Sequence, residues 1–425
     1  MPKPSTDPSE IEIKDFQYDL PESRIAKFPL KKRDQSKLLI FKAPTIQEAI
    51  YHDLAQHIPE RSLLIFNQAK VVHARLHFKK PTGGKIEVFC LEPDERYPDI
   101  TTAMAQKNEV YWKCLLKGAA KWKDQTRLSL LPIHTAVQGI PLTITGTAEK
   151  VEREGHSFTI RFRWESSLQE ELSFSEFLEY SGEIPIPPYL KRKADKSDEV
   201  RYQTIFAKEE GSVAAPTAGL HFTPSILEDL KNKGIELGKL TLHVGAGTFM
   251  PVKSEKMKGH EMHSEWIEIP LKLLIQVRDK LQTQNKIICV GTTSARTLES
   301  AFWIGTQLLR KEWTGKSQTA VSQWYPYQSK EEYTAIEVID ALIAYFKAHQ
   351  LDRLITRTRL IIAPGYKFQL LDGLITNFHQ PASTLLLMIS ALVGEQWRSI
   401  YQYALDHHFR FLSYGDGSLL WNPLS

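Results

Sequence analysis

Apolar positions change their spacing along this chain, and each spacing predicts a different kind of element. In "KLLIF" (37–41) and "SLLIFN" (62–67) they run without interruption, which marks strands buried on both faces. From Arg75 to Trp164 they come in short runs: "RLHFKK", "KIEVFCLE", "VYWKCLLK", "LTITGTAEKVE" and "HSFTIRFRW". Gly, Pro and charged residues divide these runs, which predicts an antiparallel sheet or small barrel.

After "EIPIPPYL" (183–190), a proline-stiffened connector, helix and strand patterns alternate. Thr223 as N-cap, Pro224 at the first helical position and the stripe Ile226, Leu227, Leu230 predict a helix that Gly234 stops. "KLTLHV" (239–244) follows as a strand, "LKLLIQVRDKL" (271–281) as a helix, "KIICV" (286–290) as a buried strand and "SARTLESAF" (294–302) as a helix. "SQWYPYQSK" (322–330) reads as a loop. Thr334 and Glu337 then form a capping box for a helix with Ile336, Ile339, Ile343 and Phe346 on one face. "RLIIAPGY" (359–366) reads as strand and turn, Ser383 opens an apolar helix, and "FRFLSYGD" (409–416) is the last strand expected.

Composition narrows this picture. With 425 residues, 42% hydrophobic and 24% charged, the chain has enough core for about two globular domains. Residues 1–10, rich in Pro and Ser, read as a frayed tail without a charged-then-apolar leader. The longest apolar run, "TLLLMISALVG" (384–394), is too short for a bilayer. Cys90, Cys114 and Cys289 are scattered, so neither a disulfide framework nor a metal-binding pair is expected, which fits a cytoplasmic location. A net charge of +4 permits a polyanionic partner without demanding one. Lys79, Lys80, Lys85, Lys117, Lys121 and Lys123, with Trp112 and Trp122 among them, read as a solvated sheet face in preference to an RNA-contacting one.

Candidate chemistry collects in four small-residue turns: "GSVAAPTAGLHF" (211–222), "LHVGAGTF" (242–249), "VGTTSART" (290–297) and "ITNFHQPAST" (375–384). Small residues let a ligand approach the backbone, and free N–H groups receive carboxylates or hydroxyls. At Thr292, Thr293 and Ser294, with Arg296 one turn on, ligand binding and plain N-capping are equally good readings. None of these turns has the spacing of a dinucleotide or phosphate-binding loop. "HEMHSE" (260–265) offers acid/base groups, metal ligands from His260, His263 and Glu265, or a polar loop. His221, His243 and His379 each lie beside apolar residues, where a core histidine is the commoner case.

Taken together, "RDQSKLLIF", "TGGKIEVF", "GEIPIPPY", "RYQTIFA", "GSVAAPTAGLHFT", "TLHVGAGTFMPV", "HEMHSE", "VGTTSARTLES", "APGYKF", "TNFHQPASTLL" and "SYGD" resemble the S-adenosylmethionine:tRNA ribosyltransferase-isomerase family of queuosine biosynthesis. The resemblance implies a mixed, barrel-like α/β main domain over residues 11–74 and 166–425, with an antiparallel β-barrel domain inserted at 75–165. Residues 303–358 exceed the family's usual connection and read as a helical insertion within the main domain.

The resemblance also implies a reaction. The ribosyl part of S-adenosylmethionine moves to the 7-aminomethyl-7-deazaguanine wobble base of tRNA and is isomerised there. The products are epoxyqueuosine-tRNA, adenine and methionine. S-adenosylmethionine is a co-substrate, no cofactor or metal is expected, and the chain is expected to be monomeric. His263, Glu265 and His221 are the catalytic candidates. Substrate-binding candidates are Arg33, Asp34, Thr217, Gly219, His243, Gly245, Gly247, Thr292, Thr293, Ser294, Arg296, Asn377, His379 and Asp416.

The chain departs from the family pattern at Asn67-Gln68-Ala69, where Asn-Asp-Thr is usual, at His73 and at Gln380. These departures leave open a non-catalytic relative that binds S-adenosylmethionine or RNA, or a transferase with another acceptor.

Overall fold

The structure, a computed structural model, describes residues 7–423 apart from 124–125, 138, 168–170, 246–251, 253, 314, 316–319 and 330–331. Two sheets organise it. The larger has nine strands, in the order Arg353–Thr358, Glu265–Pro270, Glu236–Leu242, Leu63–Asn67, Ile287–Val290, Gly373–Asn377, Gly417–Trp421, Lys37–Lys42 and Thr45–Ile50. The four from Glu236–Leu242 to Gly373–Asn377 are mutually parallel, and antiparallel strands flank them. Leu63–Asn67 is buried at every position, as its uninterrupted apolar run requires. Among the described residues the nine strands form an open mixed sheet, not the barrel-like closure expected of the main domain.

The smaller sheet does close. Ser157–Ser166, Glu109–Lys117, Lys85–Pro93, Arg75–Lys79, Leu128–Leu130 and Ile140–Glu154 pair in that order, and the last pairs back to the first. Every neighbouring pair is antiparallel, giving a six-stranded barrel. Burial alternates along Arg75–Lys79 and Glu109–Lys117, so one face of each strand fills the interior. Trp112 and Trp122 lie in that core, while Lys85, Lys117, Lys121 and Lys123 are exposed. The tryptophans therefore present no stacking surface beside the lysines. Trp266 and Val213, from the main sheet and the segment before its turns, pack into the same cluster and join the two sheets.

Helix Pro224–Asn232 starts as its sequence predicts: the Thr223 hydroxyl accepts from the Ile226 N–H, and Ile226 and Leu230 are buried. The Thr334–Glu337 capping box is present on Ala335–Ala348. That helix buries Val338 and Leu342 along with Ile339, Ile343 and Phe346, whereas Ile336 is half-buried. It packs on Thr292–Leu309 at Gly305, where a Cβ would lie 2.6 Å from Val338.

Three boundaries differ from the sequence expectation. "SQWYPYQSK" contains a short helix, Tyr325–Gln328. No strand forms over 359–363; it ends at Thr358, where pairing with Glu265–Pro270 runs out. "FRFLSYGD" is a bridge and turn, and the final strand is Gly417–Trp421, which pairs on both sides within the main sheet. The three cysteines are free and buried. Among the described residues no helix is long and apolar enough to cross a membrane.

Candidate functional site

Parallel strands end together, and a sheet of this kind leaves its crevice beyond their carboxyl ends. Here those ends deliver Asn67, His243–Val244, Gly291 and Phe378–His379 to one side of the sheet. Asn67 fixes the junction. Its carboxamide oxygen accepts from the N–H groups of Ala69 (3.0 Å) and Leu242 (3.1 Å), and its Nδ2 donates to the Leu242 carbonyl (2.9 Å) and Thr293 Oγ1 (3.2 Å).

Two cavities open in this crevice. The inner one, about 100 Å³, is walled by Ala214–Ala218, Gly291–Thr293, Thr376–Gln380, Tyr189 and Tyr202. Helix Thr292–Leu309 starts here without a side-chain cap, so its first N–H groups stand at the wall and favour an anionic group. Thr217 donates to Asn377 Oδ1 (3.0 Å), and Asn377 Nδ2 donates to His221 Nε2 (3.2 Å). His221 lies behind that wall, stacked on Tyr51 with centroids 4.2 Å apart, and its Nδ1 contacts the Arg33 carbonyl at 3.4 Å. An imidazole that accepts at Nε2 and donates at Nδ1 is neutral, and burial holds His221 down to about 4. His379 is likewise held down to about 3 by burial, with Thr376 Oγ1 2.9 Å from its Nε2.

The second cavity, about 470 Å³, lies between the barrel and the main sheet. His243, Gly245, His263, Glu265 and Trp266 form one side, and Arg75, Phe89, Glu92, Lys113 and His156 the other. Glu265 is buried, forms an ion pair with Arg296 and accepts from the Gly245 N–H at 3.1 Å. Burial holds the Arg296 guanidinium down to about 10. Burial also pushes the Glu92 carboxyl up, against the pull of Arg357 at 3.7 Å. Val244 lines both cavities.

The candidates thus divide. Thr217, Thr292, Thr293, Asn377 and His379 meet at the inner cavity, and His243, Gly245, His263 and Glu265 at the barrel-facing one. Seven others line neither. Arg33 and Asp34 lie outside the walls, Arg33 donating to the Gln203 carbonyl (3.3 Å) and Asp34 accepting from Thr223 (3.4 Å). His221 and Gly219 sit behind the inner wall, Gly219 against Thr204. Ser294 donates back to the Val290 carbonyl (2.8 Å), and Arg296 turns away from the helix start to Glu265. Asp416 ties the Arg410 N–H and guanidinium to the Lys37 N–H.

Gly247 lies outside the described residues. His260, His263 and Glu265 do not form a metal-binding group among the described residues: His263 is exposed while Glu265 is committed to Arg296. Gln68 and Ala69, where the chain departs from the resembled pattern, are absent from both walls.

Residues that the sequence did not single out include Tyr189, Tyr202, Glu92, Arg75, Lys113, His156 and, behind His243, Glu268. Tyr189 lies in the proline connector, whose composition was a signal. Arg75, Glu92 and Lys113 occupy ordinary barrel strands, His156 lies in the turn before Ser157–Ser166, and none carried a signal.

Comparison with known proteins bears on this site. The family model described as queuosine biosynthesis protein matches residues 13–420. A relative from Pelobacter propionicus, named S-adenosylmethionine:tRNA ribosyltransferase-isomerase, is 34% identical over 411 residues, covering 96% of this chain and 99% of its own. One of the same name from Xanthomonas oryzae pv. oryzae is 35% identical over 413 residues, 96% of each chain. A crystal structure of S-adenosylmethionine tRNA ribosyltransferase from Thermotoga maritima aligns over 95% of this chain and 99% of its own, at 24% identity and a TM-score of 0.44. The matched span takes in the barrel and both cavities, and so the chain belongs to the queuosine biosynthesis protein family.

Proposed function

We propose that this chain is an S-adenosylmethionine:tRNA ribosyltransferase-isomerase. It transfers and isomerises the ribosyl group of S-adenosylmethionine onto the 7-aminomethyl-7-deazaguanine wobble base of tRNA, releasing adenine and methionine. The observation that carries this reading is the pair of cavities meeting at Val244 at the carboxyl ends of the parallel strands. One offers main-chain N–H groups and hydroxyls, and the other offers charged and imidazole groups beside apolar surface.

In this reading the methionine carboxylate lies at Thr292–Thr293, where helix N–H groups await an anion. The nucleoside lies along Ala214–Ala218, with His221 positioning Asn377 from behind. The barrel-facing cavity receives the RNA base, near His263 and Glu265. The barrel is read as a domain inserted into the main chain path, and 303–358 as a helical insertion. No cofactor is required, and the enzyme works as a cytoplasmic monomer.

RNA phosphates approach over the basic rim beside Tyr202. Lys31, Lys32 and Lys193 are exposed there, and Arg33 and Arg201 bridge the two segments through the carbonyls of Gln203 and Leu30. Incubation with substrate-modified tRNA and ribosyl-labelled S-adenosylmethionine tests the reading. Adenine release coupled to label on tRNA supports it, and binding without release would favour a non-catalytic relative.

A further inference from the structure

Resting on that functional reading, one feature of the barrel-facing cavity points to a proton carrier. His243 follows strand Glu236–Leu242, and its main-chain N–H donates to the Trp266 carbonyl at 2.9 Å. The pairing of Thr241 with Glu268 puts Glu268 diagonal to His243 on the same face. Both side chains are 3% exposed, with Nε2 and Oε1 3.5 Å apart. The other oxygen of Glu268 accepts from Arg353 at 3.0 Å. Apart from that 3.5 Å contact, neither ring nitrogen of His243 nor Glu268 Oε1 has a hydrogen-bond partner among the described residues. Buried polar atoms without a full set of partners are costly, and each calls for an explanation.

Space around the ring is reserved. Gly211, in the first small-residue turn, has φ +129°, and a Cβ there would meet Ile100 at 2.5 Å and His243 Nδ1 at 3.0 Å. The ring is thus boxed between a glycine and a carboxylate while contributing to a cavity wall.

The groups facing it come from several elements. Glu268 and Glu265 are on its partner strand, and Arg353 and Arg357 on the next. Arg296 projects from helix Thr292–Leu309, and Arg75, Glu92, Lys113, His156 and His263 stand around the rest of the cavity. Each carboxylate already faces a guanidinium: Glu265 faces Arg296, Glu92 faces Arg357, and Glu268 faces Arg353. The buried His243 imidazole faces the Glu268 carboxylate from inside the cavity wall.

We propose that His243 carries the proton during transfer, with Glu268 as the positioning carboxylate and Arg353 holding Glu268 in place. The ring takes a proton from the ribose carbon next to the sulfonium sulfur. A C–H bond breaks, an N–H bond forms, and the electron pair stays on carbon. The imidazolium is stabilised by Glu268. When the bond from ribose to adenine breaks, its electrons go to the purine nitrogen, the ring returns the proton there, and His243 is regenerated. Burial alone would raise the Glu268 carboxyl, yet His243 and Arg353 together hold it below the usual range.

The test compares native protein, His243→Asn, Glu268→Gln and Glu268→Asp, each checked for unchanged thermal melting. For His243→Asn, kcat is expected to fall about 10²- to 10⁴-fold, the usual share of acid–base catalysis, with KM for S-adenosylmethionine nearly unchanged. Glu268→Gln should lower kcat at least about tenfold and move one limb of the pH–rate profile toward acid, because the anion that favours imidazolium is gone. Glu268→Asp should recover part of the rate.

A downfield imidazole N–H resonance, present in the native protein and lost in both His243→Asn and Glu268→Gln, reads the dyad independently of substrate. If the native enzyme is inactive but the resonance behaves this way, the functional reading fails and the dyad stands. If the native enzyme turns over and His243→Asn keeps its kcat, or the Glu268→Gln profile superimposes on the native one, the proposal is overturned.

Discussion

The inner and barrel-facing cavities share a valine and little else. The inner wall is neutral, built from small residues, helix N–H groups, hydroxyls, a carboxamide and the His379 imidazole, which burial keeps unprotonated as it does His221 behind the wall. The other wall collects carboxylates, guanidinium groups and imidazoles from the main sheet and from barrel strands. A neutral wall recognises by shape and hydrogen bonding, whereas a wall of desolvated charges exchanges protons and holds developing charge. In the proposed function, recognition of the small co-substrate and the proton chemistry therefore have separate surroundings, each unsuited to the other's task.

The charged side should be the more fragile. Arg296→Ala removes the guanidinium from the buried Glu265 and should cost about 3–5 kcal/mol of stability, read from the urea midpoint. Pairing Arg296→Met with Glu265→Leu should recover most of that loss. A singly substituted protein of native stability would erase the contrast between the walls.

Acid should strike the neutral side next. His221 and His379 have folded values below the ordinary 6.5, so the unfolded chain binds more protons as pH falls. Their contribution is complete above about 6.5 and is lost progressively down to about 4 for His221 and about 3 for His379, on the order of 3–5 kcal/mol each. Melting temperature against pH measures this, and His221→Gln should flatten the slope.

A smaller effect separates recognition from chemistry. Asn377→Ala should raise KM for S-adenosylmethionine about tenfold, the loss of roughly 1.4 kcal/mol of hydrogen bonding, with kcat little changed. A drop in kcat alone would put chemistry on the inner side. The least change is expected at the rim: Lys31→Gln or Lys193→Gln should each lower the salt slope of tRNA binding by about one. Lys85→Gln and Lys117→Gln on the barrel should leave it alone, and the reverse result would move the RNA to the barrel.

Legibility followed the same divide. Uninterrupted apolar runs located Leu63–Asn67 and Ile287–Val290, short runs divided by Gly, Pro and charged residues located the barrel strands, and the caps at Thr223 and Thr334 were read from single residues. The small-residue turns led to the inner cavity, because a wall made of backbone leaves its mark as a local run of Gly, Ala and Thr. The charged wall left no such mark. Glu92, Lys113 and Glu268 occupy polar slots of ordinary strands, and only the pairing of distant strands makes them neighbours. Arg296 misled for a related reason: its sequence position at a helix start suggested an anion site, while its length carried it to Glu265 across the sheet. The misplaced final strand arose because apolar "FRFL" is buried as a turn.

Val244 contributes to the walls of both spaces. A group seated in either chamber therefore meets a residue that also bounds the other. In the proposed function the co-substrate and the base approach each other past that residue, and a bulkier side chain there should hold them apart.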